Sequence, residues 1–174
     1  LMGFGRATID KTATDATVMM IGVNSDVQFA MTTNCTYGRF FTDKEYDASA
    51  QMAVIGTNSA TSAYGYDDPT GQTITVNSSG GTMKMKICGV ADIDSIVSSF
   101  GGGMSSMFSS GEKKTVALFI PCTTLCRLTG SDPVLQNVFV IGEEGANNDA
   151  IGNATVNYLK VAHGNYSNSI YSAE

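Results

Sequence analysis

Thr73-Ile74-Thr75-Val76-Asn77-Ser78-Ser79-Gly80-Gly81-Thr82-Met83-Lys84-Met85-Lys86-Ile87-Cys88-Gly89-Val90 is the stretch that decides the fold class. A β-branched run leads into a polar turn with two glycines. The second arm then alternates, with Met83, Met85 and Ile87 on one face and Lys84, Lys86 and Cys88 on the other. A period of two is the pattern of an antiparallel hairpin with one face buried and one wet. Just upstream, Asp67-Asp68-Pro69-Thr70-Gly71 is turn chemistry, since proline presets φ and glycine accepts positive φ.

Further out, Gln51-Met52-Ala53-Val54-Ile55 reads as a buried strand ended by Gly56, with Thr57 as the N-cap of a short helix over residues 58–64. Tyr37-Gly38-Arg39-Phe40-Phe41 leads into an acidic loop over 43–47, and residues 27–31 form a short irregular or helical turn. Residues 7–11 and Thr17-Val18-Met19-Met20-Ile21-Gly22-Val23 make a first hairpin. Downstream, residues 115–120 form a strand stopped by Pro121, followed by a helix over 122–129 and a strand over 137–141. A second helix over 147–163 carries Ile151, Ala154, Tyr158 and Ala162 at three- or four-residue steps, with Gly164 where a C-cap glycine belongs. An extended segment over 166–171 closes the chain. The sum is α+β in two lobes, a β-hairpin-rich lobe over 18–111 and a small α/β lobe over 112–174.

Composition narrows the function classes. The 174 residues are 43% apolar but only 15% charged, against roughly 25% in an average soluble domain. Ser, Thr, Asn and Gly must supply the polar surface, which suits a β-rich extracellular domain. A net charge of -6 offers no electrostatic footprint for nucleic acid, so that partner is excluded. No stretch approaches the roughly 18 apolar residues a spanning helix needs. The chain starts without an initiator methionine or a signal-peptide layout, so it reads as an excised piece of something longer.

No catalytic constellation assembles from these residues. The one histidine, His163, falls at a helix C-terminus, where a charged surface imidazole is favoured. Gly101-Gly102-Gly103 lacks the lysine and the strand-to-helix context of a phosphate loop. Acids cluster at Asp43, Glu45 and Asp47, at Asp67 and Asp68, and at Asp92 and Asp94, and all are read as solvated turn residues. Cys35, Cys88, Cys122 and Cys126 show no metal-finger spacing and read as buried free thiols. Spacing neither requires nor forbids a Cys35–Cys88 bridge, and a bridge within the 122–129 helix is geometrically poor. No catalytic residue, metal or cofactor is therefore expected in this domain. Sequons at Asn34, Asn77, Asn153 and Asn165 matter only in a glycosylating pathway.

The stretch that does suggest a site is Ser98-Ser99-Phe100-Gly101-Gly102-Gly103-Met104-Ser105-Ser106-Met107-Phe108-Ser109-Ser110-Gly111. It is too rich in Gly and Ser for a packed helix, yet it carries four large apolar side chains. Met-rich adaptable surfaces bind partners. Phe100, Met104, Met107 and Phe108 are the expected partner-binding residues.

The order of motifs has a further reading. Ile21-Gly22-Val23-Asn24-Ser25-Asp26 is followed by Gly38-Arg39-Phe40-Phe41-Thr42-Asp43 and by Met52-Ala53-Val54-Ile55-Gly56. Ala63-Tyr64-Gly65 and Asp68-Pro69-Thr70-Gly71-Gln72-Thr73-Ile74 come next, and then Met85-Lys86-Ile87-Cys88-Gly89-Val90 and Ala117-Leu118-Phe119-Ile120-Pro121. This series resembles the periplasmic core domain of MacB-like ABC transporter permeases, a group that includes FtsX-like and LolC-like permeases. The resemblance spans nearly the whole chain. It implies an extracytoplasmic domain held at the cell membrane, periplasmic or extracellular, with a porter-like α/β lobe beside a β-rich one. It also implies no chemistry of its own, ATP hydrolysis being left to a separate nucleotide-binding domain or subunit. Implied partners are that ATP-binding subunit, a second permease copy in a dimer, and an external adaptor protein. Implied cargo is a peptide, drug, toxin or lipoprotein. The family's usual lead-in is missing, so the domain is expected to be truncated on its N-terminal side. A free-standing secreted binding or adhesion module shares the composition and is the competing expectation.

Overall fold

The fold is taken from a computed structural model, which describes residues 2–9, 15–30, 33–94, 96, 115–132, 140, 142 and 145–162. The chain divides into two compact units, Leu1–Gln136 and Asn137–Glu174. In the first unit the strands are β1 (Met2–Ile9), β2 (Asp15–Val23), β3 (Cys35–Gly38), β4 (Met52–Gly56), β5 (Thr73–Ser78), β6 (Gly81–Ala91) and β7 (Thr115–Pro121). Its helices are α1 (Val27–Ala30), α2 (Asp43–Asp47), α3 (Thr57–Tyr64) and α4 (Cys122–Thr129). The mixed α+β class is as expected.

The strands form one sheet in the order β3-β6-β4-β7-β2-β1-β5, and β5 pairs back onto β6. Six strands therefore close on themselves, with β3 continuing the edge of β6 beyond β5. The expected hairpin of β5 and β6 is present. The first hairpin is present too, but its first arm is Met2–Ile9 and not residues 7–11, of which 10 and 11 lie outside the described residues. β1 runs antiparallel to β2 with Gly5 opposite Val18, and β5 runs antiparallel to β6 with Ile74 opposite Met85. β2 lies parallel to β7, and β4 lies parallel to β6.

Alternation assigns the faces. Ala7, Ile9, Val18, Met20, Ile55, Ile74, Val76, Met85, Ile87, Val90, Val116, Leu118 and Ile120 belong to one buried cluster, to which all six ring strands contribute, and so it fills the inside. Ala60, Ala63 and Tyr64 of α3 and Leu125 and Leu128 of α4 join it. Met19, Ile21, Val54, Cys88, Ala91, Ala117 and Phe119 face outward and are covered by Val27, Phe40, Phe41 and Ile93. A bulge at Cys88, between the Ala53–Ile87 and Val54–Gly89 pairs, shifts the parity of β6, so Ile87 and Val90 share the inner face. One extra residue in a strand has that effect.

Two expectations need correction. The strand over 115–120 does not open a lobe of its own, so the boundary expected between residues 111 and 112 is not a boundary in the structure. As β7 it sits between β4 and β2, buried along both faces from Val116 onward. A run apolar on both faces needs a neighbour on each edge and cover on each side, which only a central position provides. The acidic loop at 43–47 is instead the helix α2. The Thr42 hydroxyl accepts from the Glu45 N–H at 3.4 Å, and the Glu45 carboxylate accepts from the Thr42 N–H at 2.8 Å. This reciprocal capping box satisfies orphan donors of the first turn.

The same carboxylate takes both guanidinium nitrogens of Arg39, at 2.7 and 2.8 Å. Gly38 turns the chain at φ +68, where a β-carbon would lie 2.3 Å from the Cys88 carbonyl oxygen. Between these two fixed points Phe40 and Phe41 enter the outer core, with rings 6.5 Å apart and edge to face. The Gly-Arg-Phe-Phe-Thr-Asp run is thus a plug: a glycine for close approach, an ion pair for alignment, two rings for burial.

In the second unit α5 (Asn148–Ala162) occupies the span expected for the second helix. The Asn147 side-chain oxygen caps it, accepting from the Ala150 N–H at 3.1 Å. His163, Gly164, the extended segment over 166–171 and all but one residue of the strand expected over 137–141 lie outside the described residues.

Candidate functional site

Phe100, Met104, Met107 and Phe108 lie outside the described residues. The framework on which their stretch is mounted is described, since β6 leads out through Asp92, Ile93 and Asp94 and the chain re-enters at Thr115 in β7. Both strands flank β4: Ala91 pairs with Gly56 on one side, and Leu118 pairs with Ile55 on the other. The outgoing and returning arms therefore leave the sheet at the C-terminal end of β4, where α3 begins.

Ser59, in the first turn of α3, joins the two arms. Its hydroxyl donates to Asp94 Oδ1 at 2.6 Å and accepts from the Ala117 N–H at 2.9 Å. Asp94 Oδ2 accepts from the Asn58 N–H at 2.9 Å. The carboxylate thus caps α3 from a distant part of the chain, and its charge is favourable at the positive end of the helix dipole. Gly56, the local N-cap residue, has no side chain to do this. A β-carbon there would lie 2.3 Å from the Asp94 carboxylate, so that glycine makes room for the cap. Ile93, fully buried in the outer core, fixes the arm just before Asp94.

These contacts correct two readings. Thr57 is not the N-cap, because it is already inside the helix. Asp94 is not a solvated turn acid but a half-buried cap. Asp92 does remain exposed. Ser59 and Asp94 were not singled out for this role by sequence, because cap and helix are 35 or 36 residues apart and no local spacing marks such a pair. Gly56 preceding a helix without its own capping side chain is the one local hint.

Asp43, Glu45, Asp67 and Asp68 are engaged separately. Asp43 accepts from the Ser25 hydroxyl. Asp67 accepts from the Thr61 hydroxyl at 2.8 Å. Asp68 accepts from the Thr70 N–H at 3.1 Å, fixing the turn before β5. The Arg39 guanidinium and the Thr42 bonds hold the Glu45 carboxyl down at about 2. Among the described residues no three His, Cys, Asp or Glu side chains gather as a metal cluster.

All four cysteines are free thiols. Burial pushes the Cys88 thiol up to about 12 and the Cys35 thiol up to about 11. Cys88 donates to the Ala53 carbonyl at 3.3 Å. No helix among the described residues is long and apolar enough to cross a membrane.

Comparison with known proteins agrees with this architecture. A sequence profile of the MacB-like periplasmic core domain matches residues 2–158. The periplasmic region of MacB from Actinobacillus actinomycetemcomitans superposes with a TM-score of 0.61 at 15% identity, over 94% of this chain and 64% of that one. The extracellular domain of the ABC-type transporter YknZ from Gram-positive bacteria superposes with a TM-score of 0.66 at 16% identity, over 94% of this chain and 73% of that one. The chain thus spans less than two thirds of the MacB region. No curated protein sequence matches it. With the profile matched across nearly all of the described sheet and helices, the chain belongs to the MacB-like periplasmic core domain family.

Proposed function

We propose that this chain is the extracytoplasmic domain of an ABC transporter permease, passing the motion of the ATP-driven cycle to cargo or to a partner outside the membrane. The observation that carries the reading is the family match over residues 2–158. ATP is hydrolysed in a separate nucleotide-binding domain or subunit, and this domain does no chemistry of its own. It works beside a second permease copy and an external adaptor, on a peptide, drug, toxin or lipoprotein. Phe100, Met104, Met107 and Phe108 make the partner contact. The Ser59–Asp94–Ala117 clamp supports their role, because it ties both arms of their stretch to one helix and one sheet end, so movement of the sheet is delivered to the stretch.

The parent gene tests the first half. Apolar runs of about 20 residues on either side of this chain are expected. A cleavable signal peptide followed by this domain alone would leave a free-standing secreted binding or adhesion module in its place. For the second half, changing Phe100, Met104, Met107 and Phe108 together to Ser should abolish adaptor binding and transport. Full activity in that variant would remove those residues from the proposal.

A further inference from the structure

Cys122 and Cys126 open α4 at positions i and i+4. On a helix such residues face one another, with β-carbons about 5–6 Å apart. A disulfide needs about 3.5–4.5 Å between them, so this pair is poorly placed to close on itself. Two sulfurs sharing one metal atom, with bonds near 2.3 Å, can stand farther apart. Burial and the neighbouring Cys122 thiol push the Cys126 thiol up from its ordinary value. Cys122 is buried at 3% exposure, whereas Cys126 is half-buried and gives access from solvent.

The surroundings hold this arrangement. The Thr123 hydroxyl donates to the Tyr46 carbonyl at 2.6 Å, and the Thr124 hydroxyl donates to the Ala50 carbonyl at 2.8 Å. The first turn of α4 is thereby tied to α2 and to the residues that follow it. Because no three potential ligand side chains gather among the described residues, the pair does not suit zinc, which takes four ligands in structural sites. It suits an ion content with two thiolates, and soft thiolates select soft cations such as Cu(I).

We propose that Cys122 and Cys126 form a two-sulfur site for a soft monovalent cation of the Cu(I) or Ag(I) kind. One cation enters, two S–H protons leave, and two metal–sulfur bonds form with no change of oxidation state. The site is independent of the transporter reading.

The test is an anaerobic titration of this chain with Ag(I), followed by thiolate-to-metal absorption in the ultraviolet against a competing soft chelator. One ion per chain is expected. Cys122→Ser and Cys126→Ser should each lose the one-to-one complex, while Cys35→Ser/Cys88→Ser keeps it. On the wild-type chain, where folding is not in question, Ag(I) should protect Cys126 from iodoacetamide. No one-to-one complex, a complex that survives Cys126→Ser, or one that Cys35→Ser/Cys88→Ser abolishes would overturn the proposal.

Discussion

The hydroxyl of Ser59 donates to the carboxylate of Asp94 at 2.6 Å, and the same oxygen accepts the N–H of Ala117 from the neighbouring strand. One small side chain on α3 therefore closes a loop of contacts between the strand ends that bracket the Met/Phe-rich stretch. Its removal has two effects that can be separated experimentally.

Ser59→Ala leaves the buried Ala117 N–H short of a partner and takes one donor from the Asp94 carboxylate. Loss of a buried hydrogen bond of this kind costs about 1–3 kcal/mol, so a denaturant midpoint should fall with little change in slope. Amide exchange should quicken at Asn58 and Ala117 before the rest of the sheet. A midpoint equal to the parent's would show that the clamp carries no load.

Gly56→Ala pushes a methyl group into the Asp94 carboxylate. The carboxylate must swing away from Asn58, uncapping α3 at a cost of about 1 kcal/mol. Asp94→Ala should cost a similar amount. The double variant should be less unstable than the sum of the two, because both remove the same contact. Additive losses in a double-mutant cycle would contradict the geometry.

Glu45 sets a pH dependence. Its carboxyl is held at about 2 in the folded chain against an ordinary value of 4.5. A depressed folded value means that the stabilisation is fully present above about pH 4.5 and is lost as pH falls towards 2. Because Arg39 is 55% exposed, solvent screening limits the effect to no more than about 1 kcal/mol. Acid titrations of stability should show that increment in the parent and not in Glu45→Gln.

Cys88 should resist alkylation. With the thiol pushed up to about 12 by burial, only about one molecule in ten thousand carries the reactive thiolate at pH 8. Mass spectrometry after iodoacetamide should find Cys88 unmodified in the folded chain and fully modified in urea. Fast labelling of the folded chain would place that strand at the surface.

What the sequence discloses here depends on how far apart the cooperating residues stand. The β5–β6 hairpin is legible because its period and turn lie within one short window. α2 was missed although its signal is local: Thr42 and Glu45 are a capping box, but the surrounding Asp and Lys make the segment read as a solvated turn. The central place of β7 follows from its two-sided burial, and apolar periodicity does not say which strands will flank it. The bulge at Cys88 left no mark in the alternation, which continues unbroken to Cys88 itself. The Asp94 cap depends on a partner more than thirty residues earlier in the chain. The four apolar residues of the expected site are a matter of composition, and the structure contributes only the frame around them.

The pairing of β2 with β7 sets Thr17 against Thr115. A chain emerging from the ribosome or a translocation channel presents its N-terminal hairpin long before the strand that completes it exists. Until β7 arrives, the edge of β2 that will carry it stays open to wrong partners, and closing so long a loop is slow. Assembly of this domain is therefore a race between synthesis and association. A holdase, or a slow codon stretch placed after β7 rather than before it, would favour the correct finish.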